Sequence, residues 1–103
     1  VTLMLQYSVR EEGTFTAVFD EFEAVRRRHG ATGHRRYHVD GDATRVVVLI
    51  DFPDRAAAEA FVADPDRPPA LDRAGIDAAL DRGGQSSTSE VSTLLDLVED
   101  RGY

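Results

Sequence analysis

Residues 46–50 read Val-Val-Val-Leu-Ile, five consecutive β-prone aliphatics and too short a run for a buried helix. A strand sends successive side chains to opposite faces, so an unbroken apolar run asks for cover on both faces. A chain of 103 residues has helices enough for one of them. The other face needs a second layer, and another copy of the same chain is the simplest candidate. The run therefore implies a sheet with helices on one side and a homodimer contact on the other.

One domain, residues 1–103, is what this length accommodates. The net charge of −7 argues against a nucleic-acid partner and against an anionic membrane surface, both of which need a basic face. Cys, Lys, Asn and Trp are absent, and all twelve basic residues are Arg. That removes thiolate nucleophiles, disulfides, zinc–thiolate sites and lysine Schiff bases from consideration. No stretch approaches the ~18–20 apolar residues of a membrane span, and no secretory leader is recognisable. A soluble cytoplasmic protein is expected.

Val1, Leu3, Leu5 and Tyr7 alternate with more polar neighbours and mark a first strand. A helix opens at Gly13–Thr14 and closes at Gly30, with Phe15, Val18, Phe19, Phe22 and Val25 forming one apolar stripe. Arg26, Arg27 and Arg28 gather at its carbonyl end and read as a solvated helix terminus. A second strand is expected over 32–39, a tight turn at Asp40-Gly41-Asp42, and a third strand over 44–52. Asp54 caps a second helix with Ala57, Phe61 and Val62 inside. Asp64-Pro65 breaks that helix, Asp64 serving as the next N-cap. A further helix, about 69–82, turns Leu71, Ala74, Ala78 and Leu80 inward. A flexible loop over 83–87 leads to a last strand over 91–98.

The order β-α-β-β-α-(α)-β is the ferredoxin-like α+β arrangement, βαββαβ, a four-stranded antiparallel sheet with helices on one face. Apolar residues on both sides of the third and last strands predict that two such sheets pair face to face.

At the level of particular segments the chain resembles the dimeric α+β barrel superfamily, in particular its antibiotic-biosynthesis-monooxygenase-like and small cyclase-like members. The resemblance is carried by Phe19-Asp20-Glu21-Phe22-Glu23-Ala24-Val25-Arg26-Arg27-Arg28-His29-Gly30, by Gly33-His34-Arg35-Arg36-Tyr37, and by Val46 to Phe52. It continues through Ala56 to Phe61 and Arg73-Ala74-Gly75-Ile76, so it spans most of residues 1–80. It implies a pocket between sheet and helices that takes aromatic or polyketide-like molecules, haem or small lactones. Cofactor-free monooxygenases and haem-degrading members of that superfamily use Asn and Trp in the pocket, and this chain has neither. Residues 77–89 form a longer segment than such relatives carry, a lid or a longer connection.

Residues 34–38, His-Arg-Arg-Tyr-His, are the densest polar cluster. On a strand His34, Arg36 and His38 share one face, and Arg35 and Tyr37 the other. His34 and His38 would stand ~13 Å apart, too far to chelate one metal ion. No metal site is expected. One reading makes the strip a catalytic one, with His34 and His38 as acid and base and Arg36 holding a carboxylate or enolate. The other makes it a charged outer strand facing water or a dimer contact. Tyr7 is the best pocket hydrogen-bond donor, or a core aromatic with its hydroxyl at the rim. Asp51 is a buried base or a solvated acid beside a turn, and Phe52 and Phe61 are candidate walls for an aromatic ligand. No P-loop, dinucleotide fingerprint, G-x-S-x-G or H-E-x-x-H occurs, so no cofactor is expected. Two functions remain: a cofactor-independent cyclase or isomerase working by proton transfer, and a non-catalytic dimeric binding or scaffold protein.

Overall fold

A computed structural model describes residues 1–75 and 90–102 in full, and the backbone of 78–80 and 86–88. Its elements are β1 (Thr2–Ser8), α1 (Glu12–Glu21), α2 (Glu23–Arg28), β2 (Gly33–Val39), β3 (Asp42–Asp51), α3 (Arg55–Val62), α4 (Arg67–Arg73), β4 (Ala78–Leu80), β5 (Ser86–Thr88) and β6 (Val91–Leu95). Among the described residues β2, β3, β1 and β6 form a four-stranded sheet in that order, antiparallel throughout. Helices cover one face. This is the ferredoxin-like α+β fold expected from the sequence.

Register settles which residues share a face. Leu3 pairs with Ile50, Leu5 with Val48 and Tyr7 with Val46, and all six are buried beneath the helices. Across the next ladder His34 pairs with Ile50, Arg36 with Val48 and His38 with Val46. The His34–Arg36–His38 strip therefore lies on the helix side of the sheet. Met4, Val47, Leu49, Arg35, Tyr37, Val91 and Leu95 belong to the opposite face, which no helix among the described residues covers. The run at 46–50 thus divides as its alternation demands, with Val46, Val48 and Ile50 inside and Val47 and Leu49 half-buried on the open side.

The helix expected over 13–30 is two helices in tandem. Phe22 joins them with φ −81° and ψ −1°, and its N–H reaches both Val18 and Phe19 carbonyls, a local tightening rather than a break. Gly30 closes α2 as foreseen: at φ +87° its N–H bonds the Arg27 carbonyl while Ala31 bonds that of Arg26.

Three boundaries differ from expectation. Helix α4 ends at Arg73 instead of continuing to Arg82, because Gly75 adopts φ +75° and turns the chain; Ala78–Leu80 then pairs with Ser86–Thr88 as a short hairpin. Ser86 and Ser87, expected in the flexible loop over 83–87, belong to that hairpin instead; the rest of that loop, the core-facing roles expected of Ala78 and Leu80 and the remainder of the 77–89 segment lie outside the described residues. The last strand stops at Leu95, which pairs with Thr2, the first residue of β1, so Leu97 and Val98 continue in the open. Asp64 does not cap α4. Its Oδ1 accepts from Asp66 N–H at 2.8 Å, an Asx turn in the α3–α4 connection.

Candidate functional site

The apolar stripe of α1 does not close completely on the sheet. Between them lies a narrow cavity, about 420 Å³ of empty space with its open mouth included. Leu5, Tyr7 and Ile50 form its floor, Phe15, Val18, Phe19 and Phe22 one wall, and Phe61, Ala70, Leu71 and Ala74 the other. The rings interlock: Tyr7 and Phe15 centroids are 5.5 Å apart, Phe15 and Phe19 5.8 Å, and Phe22 meets Phe61 edge-on at 6.0 Å.

Polar groups enter this apolar space at three points, Tyr7, Arg26 and Arg67. Arg67 is 5% exposed; it donates to the Val62 carbonyl at 3.2 Å and forms a short ion pair with Glu90. The Tyr7 hydroxyl lies within electrostatic reach of Glu90 and Arg67, and burial, reinforced by Glu90, pushes its pKa far up, so it stays protonated. Arg26 is 4% exposed, lies flat over the Phe19 ring at 3.9 Å and donates from Nη1 to the Phe19 carbonyl at 2.8 Å.

His34 and Arg36 meet the cavity wall from outside. Both stand at Phe19, His34 edge-on at 5.0 Å and Arg36 at 5.4 Å. Partial burial, and then the Arg26 charge, hold the His34 pKa below its ordinary value and keep the imidazole neutral at pH 7. His34 shares a shallow cleft with Glu23, Arg26, Arg27 and Thr32, while Arg36 and His38 line a neighbouring one with Glu12 and Phe15.

The sequence-proposed residues thus divide. Tyr7 and Phe61 line the cavity, and His34 and Arg36 abut it. Phe52 is buried behind Phe61, ring to ring at 5.5 Å. His38 lies farther along the strip, and Asp51 is on the other face of the sheet, where Thr2 Oγ1 donates to it at 2.7 Å.

Sequence reasoning missed the buried charges. The sequence groups Arg26 with Arg27 and Arg28 as a solvated helix end; Arg27 and Arg28 are exposed as expected, and Arg26 is buried. Arg26 follows Phe15, Phe19 and Phe22 by eleven, seven and four residues, the same helical phase, which was the signal available. Arg28 and His29 reach Asp64 at 2.8 and 2.6 Å, which ties the end of α2 to the α3–α4 connection. No local pattern marks the Arg67–Glu90 pair, whose partners are 23 residues apart. Among the described residues no three His, Asp or Glu side chains gather at metal-binding range, and no helix is long and apolar enough to cross a membrane.

Solved structures with this geometry exist at low sequence identity. A crystal structure of an antibiotic biosynthesis monooxygenase superposes with a TM-score of 0.65 at 15% identity, covering 95% of this chain and 98% of that one. SnoaB of Streptomyces nogalater, a cofactor-independent oxygenase, gives 0.65 at 16% identity over 96% of both chains. Rv0793 of Mycobacterium tuberculosis gives 0.64 at 13%, covering 98% of this chain and 97% of its own. No protein-family model and no curated protein matches the chain. The likeness is one of fold: this protein has the ferredoxin-like fold of the antibiotic-biosynthesis-monooxygenase-like proteins.

Proposed function

We propose that this chain binds a small aromatic or polyketide-like molecule in the cavity between α1, α4 and the sheet, and that it acts on it by proton transfer, as a cofactor-independent cyclase or isomerase working as a homodimer. The observation that carries the binding reading is the cavity itself: a mostly apolar lining, five of its thirteen residues aromatic, with a few polar groups at fixed points is the usual composition of a small-molecule site. Fold likeness to SnoaB, a cofactor-independent oxygenase, supports the same reading. Oxygenation is not proposed, because the Asn and Trp that such enzymes use are missing from the sequence.

In this scheme the neutral imidazole of His34 accepts a proton from ligand at the Phe19 edge, and His38, farther along β2, returns one. Arg36 and the Tyr7 hydroxyl steady the oxygen on which enolate charge develops. Phe61 is a ring wall, backed by Phe52. Asp51, on the open sheet face, belongs with the subunit contact rather than with the ligand.

Most of the cavity is narrow space between rings, so a two-ring ligand enters by rotating phenylalanines aside. That same narrowness favours a second reading, in which the rings simply fill the core and the protein is a dimeric scaffold. Thermal melting across a panel of polycyclic phenols, quinones and aliphatic acids separates the two. Ligand binding predicts that aromatic compounds alone raise the midpoint by several degrees. A flat response across the panel would favour the scaffold. With a substrate identified, replacing both His34 and His38 by Ala is expected to lower turnover by about 10²–10⁴-fold; undiminished turnover would remove both from the mechanism.

A further inference from the structure

Arg26 and Arg67 are equally buried, and the protein treats them differently. Arg67 has Glu90 as counter-charge and the Val62 carbonyl as a second acceptor. Arg26 forms one hydrogen bond, to a neutral backbone carbonyl, and rests on a phenyl face. A guanidinium offers five N–H donors, and its charge is costly to hold out of water without a partner.

Among the described residues no carboxylate comes within ion-pair range of Arg26. Glu23 is taken by Arg27, and Asp20 acts on Arg26 only at longer range. Both acids favour the Arg26 charge from that distance, Glu23 the more strongly. Arg36 stands over the same ring, and its repulsion adds to burial in lowering the Arg26 pKa. The guanidinium is also reachable, since it forms part of the cavity wall on one side and of the His34 cleft on the other.

We infer that Arg26 is the anion-binding end of the cavity, and that the ligand is an aromatic ring system carrying a carboxylate. The planar fork of a guanidinium matches a carboxylate in a bidentate pair, and an aromatic body suits the phenylalanine walls. The ligand supplies the counter-charge that the protein withholds. This rests on the aromatic-ligand reading above and adds to it the class of ligand and the residue that selects it.

The test compares 2-naphthoate with its uncharged isostere 2-naphthamide by isothermal titration calorimetry of the full chain at pH 7. The wild type is expected to bind the carboxylate at least tenfold more tightly. Arg26→Met, which keeps the length of the side chain and removes its charge, is expected to abolish that preference and leave naphthamide binding within about twofold. Arg55→Met, at an exposed arginine of α3 paired with Glu59, is expected to retain the preference. Equal affinity of the wild type for the two compounds would overturn the anion site and leave the aromatic pocket standing. A preference that survives in Arg26→Met, or that is lost in Arg55→Met as well, would overturn the assignment to Arg26. Failure of both compounds to bind would sink the aromatic-ligand reading and this inference together. Should Arg26→Met not fold, the comparison passes to Arg26→Gln and to the wild-type pair of affinities, which needs no variant.

Discussion

At the scale of single residues, burial of charge separates this chain from an ordinary surface-charged domain. Asp64 is the clearest case: its side chain is 4% exposed and bound by Arg28, by His29 and by the Asp66 N–H. The bond from His29, then that from the Asp66 amide, then Arg28, hold its pKa well below the ordinary carboxylate range. A carboxylate depressed in the folded state stabilises the fold above its unfolded pKa of about 4, and that contribution fades as pH falls through the lower folded value. Asp64→Asn keeps an oxygen for the Asx turn and loses the charge. Its urea midpoint should lie clearly below that of the wild type at pH 7, and the gap should narrow as pH is lowered from about 4 toward 2. A gap that stays constant over that range would mean the charge contributes nothing. Of these residues the sequence announces little. Arg28, His29 and Asp64 are 35 or 36 positions apart in pairs and meet only because α2 ends beside the α3–α4 connection. The Phe15–Phe19–Phe22 stripe and Tyr7, by contrast, were legible because their periodicity is local.

At the scale of elements, glycines set where helices stop, and their backbone angles make the point testable. Gly30 sits at φ +87°, where an L side chain is strained, and an added Cβ would meet Pro53 Cγ at 3.4 Å. Gly33 opens β2 without a positive φ and with nothing within 4 Å of an added Cβ. Gly30→Ala should therefore cost about 1–2 kcal/mol, the price of a left-handed alanine. Gly33→Ala should be neutral or slightly stabilising. Urea denaturation of both variants checks the contrast, and equal effects would refute the backbone argument. The same chemistry explains what was readable. Gly30 and Gly41 were recognised as a helix stop and a turn, and β1, β2 and β3 followed from alternation between them. Gly75 was passed over because Ala74, Ala78 and Leu80 continue a helical spacing through it, and spacing alone does not register a residue at φ +75°. The end of β6 was unreadable for another reason. Val91 to Val98 alternates well enough to be a strand throughout, but its ladder depends on how far β1 extends, and pairing stops at Thr2.

At the scale of the whole molecule the open face of the sheet is the feature still to be explained. Met4, Val47 and Leu49 lie at its centre, half-buried by their own neighbours, with Tyr37 52% exposed on one side and Val91 54% exposed on the other. Beyond β6, Leu97 and Val98 are 80% and 95% exposed. Contiguous apolar surface of this kind marks an association site, and an antiparallel sheet with one uncovered apolar face meets that need by packing on another sheet. In the homodimer reading the second sheet is its own copy, related by a two-fold axis that brings the same patch to both sides. Leu49 is the residue to change, because it lies on β3 near the middle of the face and takes no part in the core beneath the helices. The wild type is expected to appear in native mass spectrometry at twice 11.3 kDa. Leu49→Glu should appear at the monomer mass, since two like charges would be buried opposite apolar groups without partners. Its helix-side cavity is built entirely within one chain, so naphthoate affinity measured on the monomeric variant tells whether pairing shapes the pocket. A wild type that stays monomeric at micromolar concentration would leave the paired valines of β3 without their second cover, and would overturn the dimer.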